Sequence, residues 1–194
     1  MFLSVPPNNA EPYGTQALSF MSLPFYDVSV ATHLQTLGGV ANVLEKGEAF
    51  AAEHAIDLDE LLRYRFRDDM APFSFQVISV WHHSMGAMKA FQSGVFEPPP
   101  KMSDMTWEKT KALIAYAIEY LSGLDRDLVN ELSGKDMVFR IGGRDLPFKS
   151  DDFLTSFSLP NFFFHSTTTY MVMRSQGVPL GKMDFIGQMR MNAG

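Results

Sequence analysis

The chain of 194 residues has no cysteine, which excludes a disulfide framework, a thiolate nucleophile and a zinc site with cysteine ligands. It also lacks clustered positive charge, because 16 Lys and Arg are scattered among 22 Asp and Glu and the net charge is -6. A surface that binds nucleic-acid phosphates needs clustered basic residues. We therefore expect a cytoplasmic protein without a nucleic-acid partner.

Long apolar runs and common catalytic motifs are missing as well. No apolar stretch reaches the length of a membrane span, and residues 1–9 lack the basic leader and apolar core of a secretory signal. We therefore expect no membrane partner. The motifs H-E-x-x-H, G-x-S-x-G and G-x-G-x-x-G are absent, which leaves metalloprotease, hydrolase and dinucleotide-binding functions without support.

Apolar residues recur at helical spacing in four long segments. Pro72 suits the first turn of a helix and Thr106 can cap another, so two of these segments have defined starts. The three prolines at 98–100 cannot continue a helix and predict a semi-rigid crossover. The predicted helices cover residues 27–53, 58–66, 72–92, 106–121, 125–132 and, after a start at 150–152, residues 160–176.

The pattern changes period before the last helix. Met137, Phe139 and Ile141 alternate with other residues, and Gly142-Gly143 then precedes a second short run that contains Pro147. This pattern predicts a hairpin with a glycine turn and an edge return strand. We therefore predict an all-α fold, an up-down four-helix bundle with a small β-hairpin before the last helix. Residues 22–194 are expected to form a single domain after a flexible extension of residues 1–21.

The last helix is the best candidate for a functional site. From Phe153 to Met173 there is no Asp, Glu, Lys or Arg, which predicts that its polar residues lie inside the protein. Asn161 and His165 are one turn apart on one face and are the predicted catalytic pair. The alternative is that His165 is a core histidine whose only role is a hydrogen bond to Asn161 or to a neighbouring backbone carbonyl. The predicted substrate-binding residues are Trp81, Phe164, Thr168, Thr169 and Tyr170.

The exit of this helix carries a resemblance. Tyr170, Arg174 and Gly177-Val178-Pro179 follow the pattern Y-x-x-x-R-x-x-G-V-P, and the residues that precede and follow it fit too. The chain resembles the DinB/YfiT-like superfamily, in particular one uncharacterised branch of it, over roughly residues 22–187. The resemblance implies a DinB-like bundle whose last helix carries H-x-x-x-H. The second His of that pattern falls on His165 and the first on Asn161. The further matching segments are residues 26–30, 61–65, 69–73, 75–77 and 179–185.

The resemblance also implies a divalent metal held by three histidines. The candidates here are His82 or His83 from the second long helix, together with His165, and Asn161 replaces the third ligand and offers only an amide oxygen. On a regular helix, His82 and His83 lie away from the apolar face and are expected to be surface residues. We therefore predict that the protein has no cofactor, with a divalent metal at these three histidines as the alternative.

Three functions follow from these residues. The first is a metal-independent enzyme, an isomerase or cyclase, that binds an apolar small molecule in a pocket where His165 and Asn161 polarise it. The second, implied by the resemblance, is a metal-dependent transferase. The third is a non-catalytic module that binds a ligand or forms a homodimer.

Overall fold

The computed structural model describes residues 23–192, so the predicted extension, residues 1–21, lies outside the described residues. The described part is mostly helical and carries a small sheet. Within it, no helix is both long enough and apolar enough to cross a membrane. The helices are α1 Phe25–Val28, α2 Val30–His54, α3 Leu58–Leu61, α4 Phe73–Trp81, α5 Ala87–Ser93, α6 Trp107–Ser122, α7 Arg126–Asn130, α8 Ser150–Phe153, α9 Leu159–Ser175 and α10 Lys182–Ile186; two π-helical turns are π1 His82–Gly86 and π2 Leu154–Ser158; the strands are β1 Val95–Phe96, β2 Asp136–Ile141 and β3 Arg144–Lys149.

The long helices pack around one core. Helix α2 contacts α6 and α9, and α4 contacts the same two helices from the other side. The core is filled by large side chains such as Leu37, Phe73, Phe153 and Phe162, which are all almost fully buried. Burial of each such side chain contributes about 1.5–3 kcal/mol, so this apolar contact dominates the stability of the helical part.

The predicted hairpin is present. Strands β2 and β3 pair antiparallel, and Gly142 and Gly143 form the turn with φ of +58° and +74°, which glycine adopts without strain. The sheet has a third strand where the sequence predicts only a crossover, because Val95 and Phe96 pair in parallel with β2 at Val138 and Phe139. A two-residue strand before a proline run gives no periodic signal.

The two π-helical turns interrupt the helices on either side of the candidate site. Turn π1 joins α4 to α5, and turn π2 joins α8 to α9. Pro160 is the second residue of α9 and has no N–H, so it removes one hydrogen bond from the helix at this point. Each π turn widens the helix by one residue and changes which side chains face the neighbouring helix.

Helix α10 lies against α2 at a close backbone contact. A Cβ atom on Gly39 would lie 1.9 Å from the carbonyl oxygen of Phe185, so only glycine fits there. Asn42 donates to the carbonyl of Asp184 at 3.0 Å, and Lys46 pairs with the Asp184 carboxylate at 2.5 Å. Helix α10 gives no signal in the sequence, because this five-residue helix depends on these long-range contacts.

The neighbouring glycines Gly38 and Gly39 give a matched pair of substitutions. A Cβ on Gly38 meets nothing within 4 Å, so we expect Gly38→Ala to stabilise the protein by about 0.5–1 kcal/mol through helix propensity. Gly39→Ala must displace Phe185 and should destabilise it by about 1–3 kcal/mol. Urea denaturation of both variants measures the difference, and equal effects would contradict the close α2–α10 contact.

Candidate functional site

His165 on α9 is held by a buried amide from α4. The side chain of Gln76 donates from its Nε2 to the carbonyl of Ala71 at 3.2 Å, which fixes the orientation of the amide. Its Oε1 therefore faces Nδ1 of His165 at 2.8 Å and accepts a hydrogen bond from it. A neutral His165 accordingly carries its proton on Nδ1 and a lone pair on Nε2. Among the described residues, Nε2 has no hydrogen-bond partner, and it is not enclosed by protein.

The expectation that His82 and His83 are surface residues is wrong. Both are buried, with 8% and 7% of their area exposed. They begin turn π1, where the helix departs from regular spacing, and the strand β1 segment covers them from outside. The rings of His82 and Phe96 have centroids 4.5 Å apart, and Nε2 of His82 is 2.8 Å from the carbonyl of Glu97. The ring of His82 is therefore directed toward the strand β1 segment.

His83 lies next to His165. The two rings are nearly parallel, with an angle of 14° between their planes and centroids 6.3 Å apart. On the other helix, Ser158 of turn π2 donates to the backbone carbonyl of His83 at 3.0 Å, and its oxygen is 3.5 Å from Nδ1 of His83. The two π turns thus meet at His83 and bring it beside α9.

Burial keeps these imidazoles neutral. It lowers the pKa of His165 to about 4, since a charged ring would lose its hydration there. It lowers the pKa of His83 further, to about 3, with smaller contributions from the charges that His82, His165 and His33 would carry. At neutral pH His83 and His165 are therefore uncharged and can each accept a proton or a hydrogen bond.

The outer side of His165 is an open aromatic surface. Phe75 and Phe164 present their rings at steep angles to the imidazole, with centroid distances of 5.8 and 5.2 Å, and are 40% and 60% exposed. Phe163 is 40% exposed as well. The prediction that the polar residues of this uncharged helix lie inside the protein is therefore only partly correct, because Asn161 and His165 are half-buried. We call Phe75, Phe163 and Phe164 the aromatic rim.

The other predicted site residues on α9 mostly donate hydrogen bonds to backbone carbonyls of the preceding turn. Asn161 donates to the carbonyl of Phe157 at 2.7 Å, which leaves its Oδ1 without a partner among the described residues. The hydroxyls of Thr168 and Thr169 donate to the carbonyls one turn earlier at 2.7 and 2.9 Å. Tyr170 donates to the carbonyl of Leu180 at 3.4 Å and packs on Phe185. The hydroxyls of these two threonines and of Tyr170 are thus satisfied by backbone carbonyls. Asn161, in contrast, lies one turn from His165 on the same face.

Two of the cavities in the described part show where Trp81 lies relative to His165, and His165 lines neither of them. Trp81 lines one of about 310 Å³ together with His82 and Phe96. The other, of about 390 Å³, lies between α2 and α6. Trp81 therefore lines a different region from His165. The prediction that the two residues line one pocket does not agree with the structure.

The three-histidine metal site that a DinB-like fold implies does not fit these residues. His82, one of the three predicted ligands, is directed to the Glu97 carbonyl. Asn161 supplies an amide where the H-x-x-x-H pattern has an imidazole. Over residues 23–192, no group of three or more His, Asp or Glu is placed to hold a metal ion.

Gln76 and Phe75 are site residues that were not predicted from the sequence. One signal was present, because Gln76 and His83 are seven residues apart and seven residues make two helical turns. A histidine and an amide on one face of an apolar helix suggest a shared buried environment. Phe75 gave no signal of its own.

Comparison with known proteins assigns the family. The model of the domain of unknown function DUF1993 matches residues 25–186, which is most of the chain. The chain belongs to the DUF1993 family. No curated protein matches it. DUF1993 thus names a shared domain without assigning an activity to it.

A solved structure is similar to this DUF1993 protein over most of both chains. It is the crystal structure of a DinB family member protein from Shewanella denitrificans, with a TM-score of 0.74 and 24% sequence identity. The match covers 87% of this chain and 95% of the other. At this identity the similarity establishes a DinB-like fold, and the predicted resemblance to the DinB-like proteins is confirmed.

Proposed function

We propose that this DUF1993 protein is an enzyme that transfers a proton on an apolar small molecule, in an isomerisation or cyclisation. In the proposal, a DinB-like up-down bundle of four long helices presents His165 as the base, and no metal takes part. The molecule binds against the aromatic rim, and Asn161 polarises it through the oxygen of its amide.

The observation that carries the proposal is the state of His165. Its Nδ1–H is bound by Gln76, its ring is neutral at neutral pH, and its Nε2 is open to a ligand. A base held in one orientation beside an apolar surface needs little reorganisation when it takes a proton. The low pKa makes each proton transfer less favourable, so the proposal requires a substrate whose proton is already acidic.

A general probe of proton abstraction tests this proposal before the substrate is known. In 5-nitrobenzisoxazole a base removes the proton on C3, that electron pair forms the C–N triple bond, and the N–O bond breaks to give a coloured phenolate. We expect the protein to accelerate this reaction over free imidazole, and His165→Phe to lower the rate by about a hundredfold, because it keeps the ring and removes the base.

The matched control is His54→Gln. His54 is exposed at the end of α2, and its ring binds the carbonyl of Phe50. The rate should be unchanged in this variant. If His165→Phe retains the full rate while folded, His165 is not a base. A module that binds a ligand or pairs two copies through the aromatic rim would then be favoured.

A further inference from the structure

We infer that the ligand of this site is a neutral aromatic molecule that presents a hydrogen-bond donor, such as a phenolic hydroxyl, to Nε2 of His165. This inference rests on the proposed function, because it concerns the same site. It goes beyond it by assigning the polar group that the ligand must carry.

The donor requirement follows from the orientation of Gln76. If the amide were reversed, its NH₂ group would face His165 and the imidazole would present Nε2–H to the ligand. The bond from Gln76 Nε2 to the Ala71 carbonyl excludes this arrangement. Nε2 of His165 is therefore an acceptor, and a carbonyl or ether oxygen placed there would find no donor.

The neighbouring acceptors favour the same ligand. Asn161 has used one amide hydrogen on Phe157, and its oxygen lies on the same helix face as His165. The ring of His83 is neutral and parallel to that of His165. A ligand that brings only acceptors would leave these groups unsatisfied, which costs binding free energy.

The aromatic character of the ligand follows from the rim. The exposed rings of Phe75 and Phe164 flank the imidazole at angles of 75° and 87°, and aromatic pairs gain from such edge contacts. Helix α9 carries no charged side chain before Arg174, and Gln76, Phe75 and Asn161 are uncharged. None of these described site residues is a lysine or arginine that would select a phosphate or carboxylate, so a neutral ligand fits.

A matched pair of probes tests the inference. 1-Naphthol and 1-methoxynaphthalene share the ring system, and only the first has a donor. We expect the full-length protein to bind 1-naphthol about tenfold more tightly by calorimetry, as one hydrogen bond in a partly buried site provides. His165→Phe should bind both probes equally, and Gln76→Leu, which frees the imidazole to turn, should lose most of the preference.

A substitution at an exposed residue keeps the test valid if His165→Phe or Gln76→Leu impairs folding. Phe164→Ser changes a side chain that is 60% exposed, and it should weaken both probes by a similar factor without changing their ratio. Equal binding of the two probes to the unchanged protein, no binding of either, or a preference that persists in folded His165→Phe would each overturn the inference. Loss of nitrobenzisoxazole turnover in His165→Phe would still support the base in those cases, so the two failures are distinguishable.

Discussion

The free energy of unfolding is expected to fall by several kcal/mol as the pH decreases from about 6.5 to about 4. Burial lowers the folded-state pKa of His33 and His165 to about 4 and that of His83 to about 3. The unfolded chain binds protons at these residues below about pH 6.5, where the folded protein does not. Stability is therefore complete above about pH 6.5 and is lost as the pH falls.

His33 should make a large contribution to this loss. It is fully buried against the edge of Phe162, and neither ring nitrogen has a hydrogen-bond partner within residues 23–192. The carbonyl of Ser29 lies near the ring and opposes part of the shift, but it already accepts the backbone N–H of His33 at 2.9 Å. A pKa of about 4 corresponds to about 3 kcal/mol of stability at neutral pH relative to protonated His33.

The substitution His33→Leu isolates this contribution. We expect it to be neutral or stabilising at pH 7, because it removes two unpaired buried nitrogens and keeps the volume. It should also reduce the pH dependence by about one proton between about pH 4.5 and 6. Urea denaturation at several pH values measures both effects. His54→Gln is the control, since it removes an exposed histidine, and an unchanged slope in His33→Leu would contradict the assignment.

Asn161→His is expected to create a transition-metal site that the natural chain does not have. His165 lies one turn away on the same face, and His83 lies beside His165 across the helix boundary. The substitution restores H-x-x-x-H and supplies a third imidazole, the number that many catalytic zinc sites use. Affinity for Zn²⁺ or Co²⁺ should rise by on the order of a hundredfold or more over the unchanged protein.

Calorimetric titration with Zn²⁺ and the visible spectrum of Co²⁺ would follow this site. The control is Thr167→His, which adds a histidine to the exposed face of the same helix and should not produce one tight equivalent. If the unchanged protein binds one equivalent of zinc that His165→Ala removes, the prediction that the protein lacks a metal is wrong and a metal-dependent transferase becomes the favoured function.

Features with local signals could be predicted from the sequence. The Gly142-Gly143 turn predicted the hairpin that is present. Thr106 caps α6 by accepting a hydrogen bond from the N–H of Lys109 at 3.3 Å. Gly177, with φ of +92°, follows the end of α9, which lies close to the predicted end at residue 176. In each case the deciding interaction joins residues a few positions apart, so composition and spacing are enough to reveal it.

Features that depend on distant contacts could not be predicted in this way. Strand β1 exists because Val95 and Phe96 pair with residues more than forty positions away. Turn π1 changes the direction in which His82 and His83 point, and a regular helical period assigns both to the surface. For the candidate site, the position of His165 followed from the uncharged helix, whereas its hydrogen bond to Gln76 depends on the packing of α4 on α9.

The measurement that tests the central claim most directly is the pH dependence of the His165-dependent rate on 5-nitrobenzisoxazole, taken as the difference between the unchanged protein and His165→Phe. Circular dichroism at each pH confirms that both remain folded. With a pKa of about 4 for His165, the rate should stay nearly constant from about pH 8 to about pH 5. A decrease of about thirtyfold by pH 5, as an imidazole of ordinary pKa gives, or no His165-dependent rate at any pH, would contradict the claim that His165 is a buried neutral base.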